Sequence, residues 1–233
     1  MPRGETSPTR FRAGSAPMPD GGRPLGRTSA HRTLRHRSPR GLERINEPQI
    51  DLVVWQRSLP VALHDWLEPL PARRLPQGRV LATVDKLPAA LAELIAASRT
   101  PNGLGARILI DDVIDLASQF ARITGSKPVD VGLEAVEDNA CWKFHRDCVP
   151  LRLLTTYRGP GTQIVAPRFA MRALCQQRQY DGPVEELTTG AVAVFKGDHA
   201  GGVHRSPPIK GSHVTRLVLT LNLPSAVSPP LWS

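Results

Sequence analysis

The chain has 233 residues, a hydrophobic fraction of 40% and a formal net charge of +9. It contains no run of 18 apolar residues and no apolar segment of the signal-peptide kind, which argues against a membrane-spanning or secreted protein. Three cysteines without a pairing pattern are typical of a reducing compartment. We therefore expect a cytoplasmic protein with no membrane partner.

Residues 1–42 are rich in Arg, Pro, Ser and Gly and poor in bulky apolar side chains, which predicts a disordered tail. This tail has nine arginines and two acidic residues, so it carries +7 of the formal charge of +9. A basic tail can contact nucleic acid weakly and without specificity, although a solvated segment is the simpler interpretation. The remaining residues, 43–233, are predicted to form a single domain.

The first part of that domain, residues 43–127, is predicted to be mainly helical. Ile50–Trp55 is a short apolar run that fits a strand or the start of a helix. Residues 59–70 predict a helix that ends at prolines, and the Ala- and Leu-rich residues 87–98 predict another.

A third helix is predicted after Gly103-Leu-Gly105, which interrupts the helical pattern. Asp111, Asp112 and Asp115 lie near its expected start, where carboxylates suit the helix dipole. We therefore interpret these residues as helix stabilisers and not as metal ligands. The glycine pair lacks the lysine and the βαβ context of a nucleotide-binding loop, so it predicts no nucleotide site.

From residue 128 onwards the hydrophobic period becomes that of strands. Val129–Val136 alternates apolar and polar residues, and Leu151–Tyr157 is rich in Leu and Thr. Two further apolar strands are predicted from Gly190 and from Thr215, joined by a polar connection. Residues 128–224 are thus predicted to form a β core, and the basic residues 168–180 form a helical or irregular insertion near a cavity mouth.

A further strand is predicted around His145, between the first two, and it carries residues with metal-binding chemistry. In His145-x-Asp147, an imidazole and a carboxylate project from the same face of an extended strand. His204 follows the strand that begins at Gly190. Two imidazoles and one carboxylate have the composition of the facial triad that binds ferrous iron.

Other residues compete for these roles. His199 and His213 are alternatives to His204, but His204 has the better spacing to the strand that begins at Thr215. Cys141 and Cys148 lie close to the His-x-Asp pair, so a thiolate-containing zinc site is a rival. The simpler interpretation is that both cysteines are small buried hydrophobic residues.

The order of these motifs resembles the Fe(II)/2-oxoglutarate-dependent dioxygenases, with the prolyl-hydroxylase-like branch closest in layout. The resemblance covers roughly residues 129–223. It depends on His145-x-Asp147, Gly159-Pro-Gly-Thr162, His204, and Arg216 twelve positions beyond that histidine. The motifs Cys-x-x-Phe-His-x-Asp and Gly-Pro-Gly-Thr also resemble those of a bacterial family of unknown function.

The resemblance implies a mainly β fold with flanking helices: a double-stranded β-helix, or jelly-roll and cupin-like core, with N-terminal helices packed on one sheet. It implies that Fe(II) is bound by His145, Asp147 and His204. Arg216 would pair with the distal carboxylate of 2-oxoglutarate, and Tyr157 would hydrogen-bond the same co-substrate. The implied reaction is a hydroxylase-type oxidation of an unknown substrate, with no catalytic residue beyond the metal site.

Arg216 also has an interpretation from its own strand. Arg216, Val218 and Thr220 point one way and the intervening leucines the other, so the leucines can pack under helices while Arg216 points into the barrel. A buried guanidinium needs a partner, and its planar fork matches a carboxylate. The alternative is a structural ion pair with Asp or Glu.

Zinc accepts the same three ligands as ferrous iron. The alternative function is therefore a non-enzymatic zinc- or iron-binding cupin-like protein of metal homeostasis or sensing. Arg216 discriminates between the two, because co-substrate-dependent oxidation needs it and metal storage does not.

Overall fold

The computed structural model describes residues 32–197 and 201–232. Within these residues the strands are β1 (Arg32–His36), β2 (Ile50–Trp55), β3 (Gly78–Thr83), β4 (Pro128–Val136), β5 (Leu151–Arg158), β6 (Gln163–Ile164), β7 (Glu185–Glu186), β8 (Val192–Lys196), β9 (His204–Arg205) and β10 (Arg216–Asn222). The α-helices are α1 (Val61–Leu67), α2 (Leu87–Ala97), α3 (Leu104–Thr124) and α4 (Ala170–Gln176). Short 3-10 helices cover Pro39–Asn46, Ala72–Arg74, Pro167–Phe169 and Gln177–Gln179.

Seven strands form one large sheet in the order β1-β2-β8-β5-β10-β4-β3, and three form a small sheet in the order β7-β6-β9. The pairing of β1 with β2 is parallel, and the other strand pairs are antiparallel. The central pair β5 and β10 therefore has a neighbour on both sides. Side chains of this pair are well placed to line a site.

The central strands of the large sheet are covered on both faces. On one face, leucines of β10 pack with residues of α2 and α3 in the main hydrophobic core. On the other face, residues of β2, β5 and β8 pack with Ile164 of the small sheet. Strands buried on both sides explain why several of them are nearly continuous apolar runs, as in Val192–Lys196.

The predicted mainly β fold with flanking helices is confirmed. The strands predicted at Val129–Val136 and Leu151–Tyr157 are present as β4 and β5, and Ile50–Trp55 is a strand. The helices predicted in residues 59–70 and 87–98 are α1 and α2. No helix in the described ranges is long and apolar enough to cross a membrane.

The boundary of the predicted tail is wrong. Residues 32–42 are ordered: they include β1, which adds to the edge of the large sheet, and Leu42, which is fully buried. An edge strand is held by backbone hydrogen bonds, so its arginine-rich composition does not reveal it. The rest of the predicted tail, with its suggested nucleic-acid contact, lies outside the described residues.

The predicted start of the third helix is also wrong. The helix α3 begins at Leu104, so no acidic residue lies in its first turn. Gly105 does not interrupt the helix but permits close packing, because a Cβ there would lie 2.2 Å from the Trp66 ring. Asp112 consequently lies in the helix interior, where it has a different role.

Candidate metal centre

His145 and His204 are joined through their backbones. The His145 amide donates to the His204 carbonyl at 2.9 Å, and the His204 amide donates to the His145 carbonyl at 3.1 Å. This isolated antiparallel bridge replaces the longer strand that was predicted around His145. Reciprocal bonds of this kind hold two opposite residues side by side. The two imidazole rings have their centroids 4.5 Å apart.

Asp147 completes a cluster with these two histidines. One ligand atom from each of the three residues lies within 4.8 Å of the others. The Asp147 Oδ2 atom is 3.6 Å from His204 Nε2, and Oδ1 is 3.9 Å from His145 Nε2. Asp147 and His204 are buried, with exposed fractions of 4% and 3%, whereas His145 is half-buried on the side that opens to solvent.

Both imidazoles are oriented for metal binding by backbone carbonyls. His145 Nδ1 lies 2.8 Å from the Lys143 carbonyl, and His204 Nδ1 lies 3.0 Å from the Gly202 carbonyl. A carbonyl only accepts hydrogen bonds, so each Nδ1 carries the proton and donates it. With Nδ1 as the donor, the nitrogen that faces the cluster in each ring is Nε2, which is the arrangement found around metal-bound histidines.

The protonation state of His204 favours the same role. Burial lowers its pKa to about 4, against the attraction of the Asp147 carboxylate, which raises it. His204 is consequently neutral at physiological pH. Protons therefore do not compete for its Nε2.

The two oxygens of Asp147 differ in their surroundings. Oδ1 accepts a hydrogen bond from Arg152 Nη1 at 2.5 Å, and Arg152 is itself held by Asn222 Oδ1 at 2.8 Å from its Nε. Oδ2 is buried and has no hydrogen-bond partner among the described residues. A buried carboxylate oxygen without a partner is costly. A divalent cation between Oδ2 and the two Nε2 atoms would satisfy it, so the donor set fits a metal ion.

Arg216 lies in the same cleft and is 1% exposed. Its Nε donates to the Pro160 carbonyl at 2.8 Å, and Nη2 lies 3.4 Å from Thr156 Oγ1 and 3.5 Å from Thr162 Oγ1. Its Nη1 is buried and has no hydrogen-bond partner within residues 32–197 and 201–232. No carboxylate of the described residues forms an ion pair with it, which argues against the structural ion pair considered from the sequence.

Burial lowers the pKa of Arg216 to about 10, although Glu186 and Glu134 raise it slightly. The guanidinium therefore remains charged at neutral pH. The turn Gly159-Pro-Gly-Thr162 supplies much of its surroundings. Gly159 has a φ of 78° and Gly161 packs against the Leu187 carbonyl so closely that a Cβ would lie 1.7 Å from it. These glycines let the turn fold over Arg216.

A cleft connects the candidate ligands His145 and His204 with Arg216. It encloses about 520 Å³ of empty space, including its open mouth. Leu154, Val218 and Thr220 form its floor on β5 and β10, as the alternation of β10 predicted. Leu217, Leu219 and Leu221 point the opposite way into the core beneath the helices.

Tyr157 does not lie in this cleft, and its predicted contact with a co-substrate is wrong. Its side chain points to the helical face of the sheet, where its hydroxyl donates to Asp112 Oδ2 at 2.6 Å. Asp112 also accepts two hydrogen bonds from Arg57. Burial, followed by the nearby Asp112 charge, raises the pKa of Tyr157 well above its usual value. On β5, residues 154 and 156 face the cleft, so the odd-numbered Tyr157 cannot.

The competing ligands are placed elsewhere. His213 is exposed in a turn with a φ of 59°, and His199 lies outside the described residues. Cys141, Cys148 and Cys175 are exposed, so the interpretation of the first two as buried hydrophobic residues is wrong. Cys141 lines the cleft but does not belong to the ligand cluster.

Three contributors to the site were not assigned a role from the sequence: Arg152, Thr156 and Thr162. Arg152 begins the strand after the metal ligands, and its charge alone does not distinguish it from other arginines. The Gly-Pro-Gly-Thr motif could have indicated Thr162, since two glycines around a proline indicate a tightly packed turn.

The chain belongs to the family described as "Protein of unknown function (DUF1826)", whose profile it matches over residues 36–222. This agrees with the expected membership of a family of unknown function. A comparison with curated proteins finds no match.

Several solved structures are similar to this chain. One is the dioxygenase for auxin oxidation 1 from Arabidopsis thaliana with 2-oxoglutarate: 11% identity, TM-score 0.43, 86% of this chain and 96% of that chain covered. A prolyl-4-hydroxylase from Pseudomonas putida aligns at 14% identity and TM-score 0.39, covering 80% and 99%. The Kdo hydroxylase, an Fe(II)-dependent dioxygenase, aligns at 10% identity and TM-score 0.40, covering 83% and 89%. These are structures of the class that the sequence resembles.

Proposed function

We propose that this chain is an Fe(II)/2-oxoglutarate-dependent dioxygenase that oxidises a substrate bound at the mouth of the cleft. One observation carries the proposal: two unsatisfied buried groups of opposite charge face the same cleft. Asp147 Oδ2 lies between two imidazole nitrogens, and Arg216 Nη1 lies deeper without an acidic partner. A metal ion satisfies the first group and a dicarboxylate satisfies the second.

The residues present have defined tasks in such an enzyme. His145, Asp147 and His204 would hold the iron on one side, which leaves the cleft side of the ion open. Arg216 would bind the far carboxylate of 2-oxoglutarate and so orient its keto-acid end toward the iron. Ferrous iron with 2-oxoglutarate and O2 supplies the oxidising chemistry, and no protein acid or base is needed.

The walls of the cleft support the same use. Leu154 and Val218 are apolar, and Thr156 and Thr162 flank the guanidinium with hydroxyl groups. An apolar wall limits access of water to the ligands, and hydroxyl groups beside the cation can donate to a second carboxylate oxygen. A cleft with few convergent polar groups is typical of small-molecule sites.

We also propose that the two sheets are the two halves of a double-stranded β-helix. The small sheet supplies His204 at the start of β9, and the large sheet supplies Arg216 and Arg152. The apolar cluster of Leu154, Ile164, Leu187 and Phe195 lies between the sheets. The cleft opens beside this cluster, as in a jelly roll with its site between two sheets.

The test is the formation of succinate from 2-oxoglutarate by the full-length protein loaded anaerobically with Fe(II) and then exposed to O2. We expect slow turnover without a prime substrate, and its loss in His204→Ala and in Arg216→Ala. Arg107→Ala is the matched control, because Arg107 is exposed on the helical side of the sheet.

Binding measurements separate the two functions that the ligands allow. Titration of 2-oxoglutarate into zinc-loaded protein should give binding that Arg216→Ala abolishes. Tight zinc binding without any binding of 2-oxoglutarate would refute the oxygenase. It would support the alternative of a metal-binding protein without enzyme activity.

A further inference from the structure

The segment from Cys141 to Asp147 leads from the surface to the metal ligands. Its outer part, Trp142 and Lys143, lines a second cavity that adjoins the cleft, and the two cavities share Cys141 and His145. A molecule that reaches the ligands from this side therefore passes Trp142 and Lys143. The mouth of the cleft is here defined as Trp142, Lys143 and Arg178.

Two cations converge on one ring at this mouth. The Arg178 guanidinium carbon lies 4.4 Å from the centre of the Trp142 ring, and Lys143 Nζ lies 5.8 Å from it. Neither cation forms an ion pair with a carboxylate of the described residues. The other arginines around the fold commonly do so, as in Arg35–Glu185, Arg57–Asp112, Arg79–Asp130, Arg158–Glu68 and Arg172–Asp181.

The backbone next to Arg178 is anchored by its neighbour Gln177. The Gln177 side chain accepts a hydrogen bond from the Phe144 amide and donates one to the Phe144 carbonyl, both at 2.9 Å. Gln177 adopts a φ of 50°, and Cys141 at the other end of the segment adopts a φ of 51°. Positive φ angles are unfavourable for these residue types, and such strain persists only where the surroundings enforce it. The fold therefore holds the backbone next to Lys143 and Arg178, whose side chains both contact the Trp142 ring.

Two cations that contact the same ring give this surface a positive potential, which attracts an anion. The ring of Trp142 attracts each cation but cannot neutralise either. Apart from the candidate ligand Asp147, the only acidic residue of the described chain that lines the cleft is Glu134 on β4, and no described acidic residue lines the outer cavity. The mouth thus offers an anion two unpaired cations and one aromatic surface.

We propose that the substrate is a small anionic molecule whose carboxylate or phosphate group binds Lys143 and Arg178 beside Trp142. The proposal rests on the function proposed above, because it identifies the substrate class of that site. Lys143 is two residues from His145, so the anionic group would lie within one small molecule's length of the metal. The oxidised carbon would then point inward, past Cys141 and His145.

Fluorescence quenching of the full-length protein tests the charge of the mouth. The difference between the wild type and Trp142→Phe isolates the emission of Trp142 from that of the other tryptophans. Because cations concentrate iodide and repel caesium, we expect iodide to quench Trp142 about threefold more strongly than caesium at low salt. The double variant Lys143→Gln/Arg178→Gln should remove this difference. The matched double variant Arg73→Gln/Arg107→Gln, at two exposed arginines outside the cleft, should retain it.

Competition then tests for a binding site. Inorganic phosphate and benzoate, added at constant ionic strength against chloride, should protect Trp142 from iodide in the wild type and not in Lys143→Gln/Arg178→Gln. Protection by phosphate indicates a phosphorylated substrate, and protection by benzoate indicates a carboxylate. Equal quenching by iodide and caesium, or no protection by either anion, would overturn the proposal.

Binding of zinc and of 2-oxoglutarate to the same samples keeps the two proposals apart. Both should bind to Lys143→Gln/Arg178→Gln as they do to the wild type, which also shows that the variant is folded. Absence of 2-oxoglutarate binding in the wild type would refute the proposed enzyme while the anion site at the mouth still stands. Normal 2-oxoglutarate binding without anion protection of Trp142 would refute the anionic substrate alone.

Discussion

The two faces of the central strands β5 and β10 differ in whether their buried charged groups have partners. On the helical face, Arg57 binds Asp112 through two nitrogens, and Tyr157 donates to the same carboxylate. On the cleft face, Arg216 keeps a buried nitrogen that has no hydrogen-bond partner in the part of the chain that the structure describes. A protein that satisfies its buried charges on one side of a sheet can do so on the other, so the unsatisfied side is better explained by a ligand than by poor packing.

The pKa values of the two arginines express the same contrast. Burial lowers the pKa of Arg57, but its bonds to Asp112 outweigh this and raise it above the ordinary value. Burial lowers the pKa of Arg216 to about 10, because no comparable bond offsets the loss of water. The helical face is thus stabilised by its charges, whereas the cleft face is destabilised by them. Functional sites commonly carry such a cost.

The largest expected effect comes from replacing each arginine by methionine. Arg57→Met leaves Asp112 buried without its cation and should lower the free energy of unfolding by about 3 kcal/mol. Arg216→Met removes an unpaired buried charge and should raise it by about 1–3 kcal/mol, while the affinity for 2-oxoglutarate falls about 100-fold. Urea unfolding of the metal-free protein and calorimetric titration of zinc-loaded protein measure these effects. Equal destabilisation by both substitutions would abolish the contrast.

The pH dependence of stability gives the next effect. Burial lowers the pKa of His204 to about 4, whereas the unfolded chain binds a proton near the ordinary value of 6.5. The unfolded state therefore gains a proton first as pH falls, and the metal-free protein should lose up to about 3 kcal/mol between pH 6.5 and pH 4.

Above pH 6.5 this histidine should not change the stability. His204→Gln should flatten the profile of unfolding free energy against pH, and His64→Gln, at an exposed histidine of α1, should leave it unchanged. A profile equally steep in His204→Gln would assign the loss of stability to other groups.

A smaller effect is expected from Arg152, which binds Asp147 Oδ1 and leaves Oδ2 free. Arg152→Gln should weaken zinc binding about tenfold, as is common when a group that orients a metal ligand is removed. Arg152→Lys should restore part of the affinity. The substitution also removes a cation near the metal, so stronger zinc binding in Arg152→Gln would mean that repulsion outweighs orientation.

The smallest effect should come from Tyr157, on the helical face. Tyr157→Phe removes one of three hydrogen bonds to Asp112 and should lower the free energy of unfolding by about 1 kcal/mol. Its affinity for 2-oxoglutarate should equal that of the wild type. A tenfold loss of affinity would return Tyr157 to the co-substrate role that the sequence suggested.

The sequence could predict that His145, Asp147 and His204 come together because their chemistry is local. His145-x-Asp147 is a short motif, and His204 and Arg216 are placed by strand alternation and spacing. Tyr157 was assigned to the cleft because related enzymes have a co-substrate tyrosine at the corresponding place before the turn. Side chains alternate along β5, and Leu154 faces the cleft. Tyr157, three residues later, therefore lies on the helical face of the sheet.

Other features depend on long-range contacts that no local pattern contains. Arg152 meets Asn222, which is 70 residues away, and Asp112 meets Arg57 across 55 residues. The edge strand β1 is likewise defined by its partner and not by its own arginine-rich composition. Composition predicted the helices and central strands well, since those elements bury continuous apolar faces.

The reciprocal backbone bonds between His145 and His204 have a consequence for metal exchange. The side chains of His145 and His204 project from one rigid backbone bridge. Their separation is therefore set by folding and not by metal binding. Amide hydrogens of these two residues should therefore exchange with solvent equally slowly in the presence and absence of zinc. Ions of different radius would be accommodated by rotation of the Asp147 carboxylate, because Asp147 is not part of this backbone bridge.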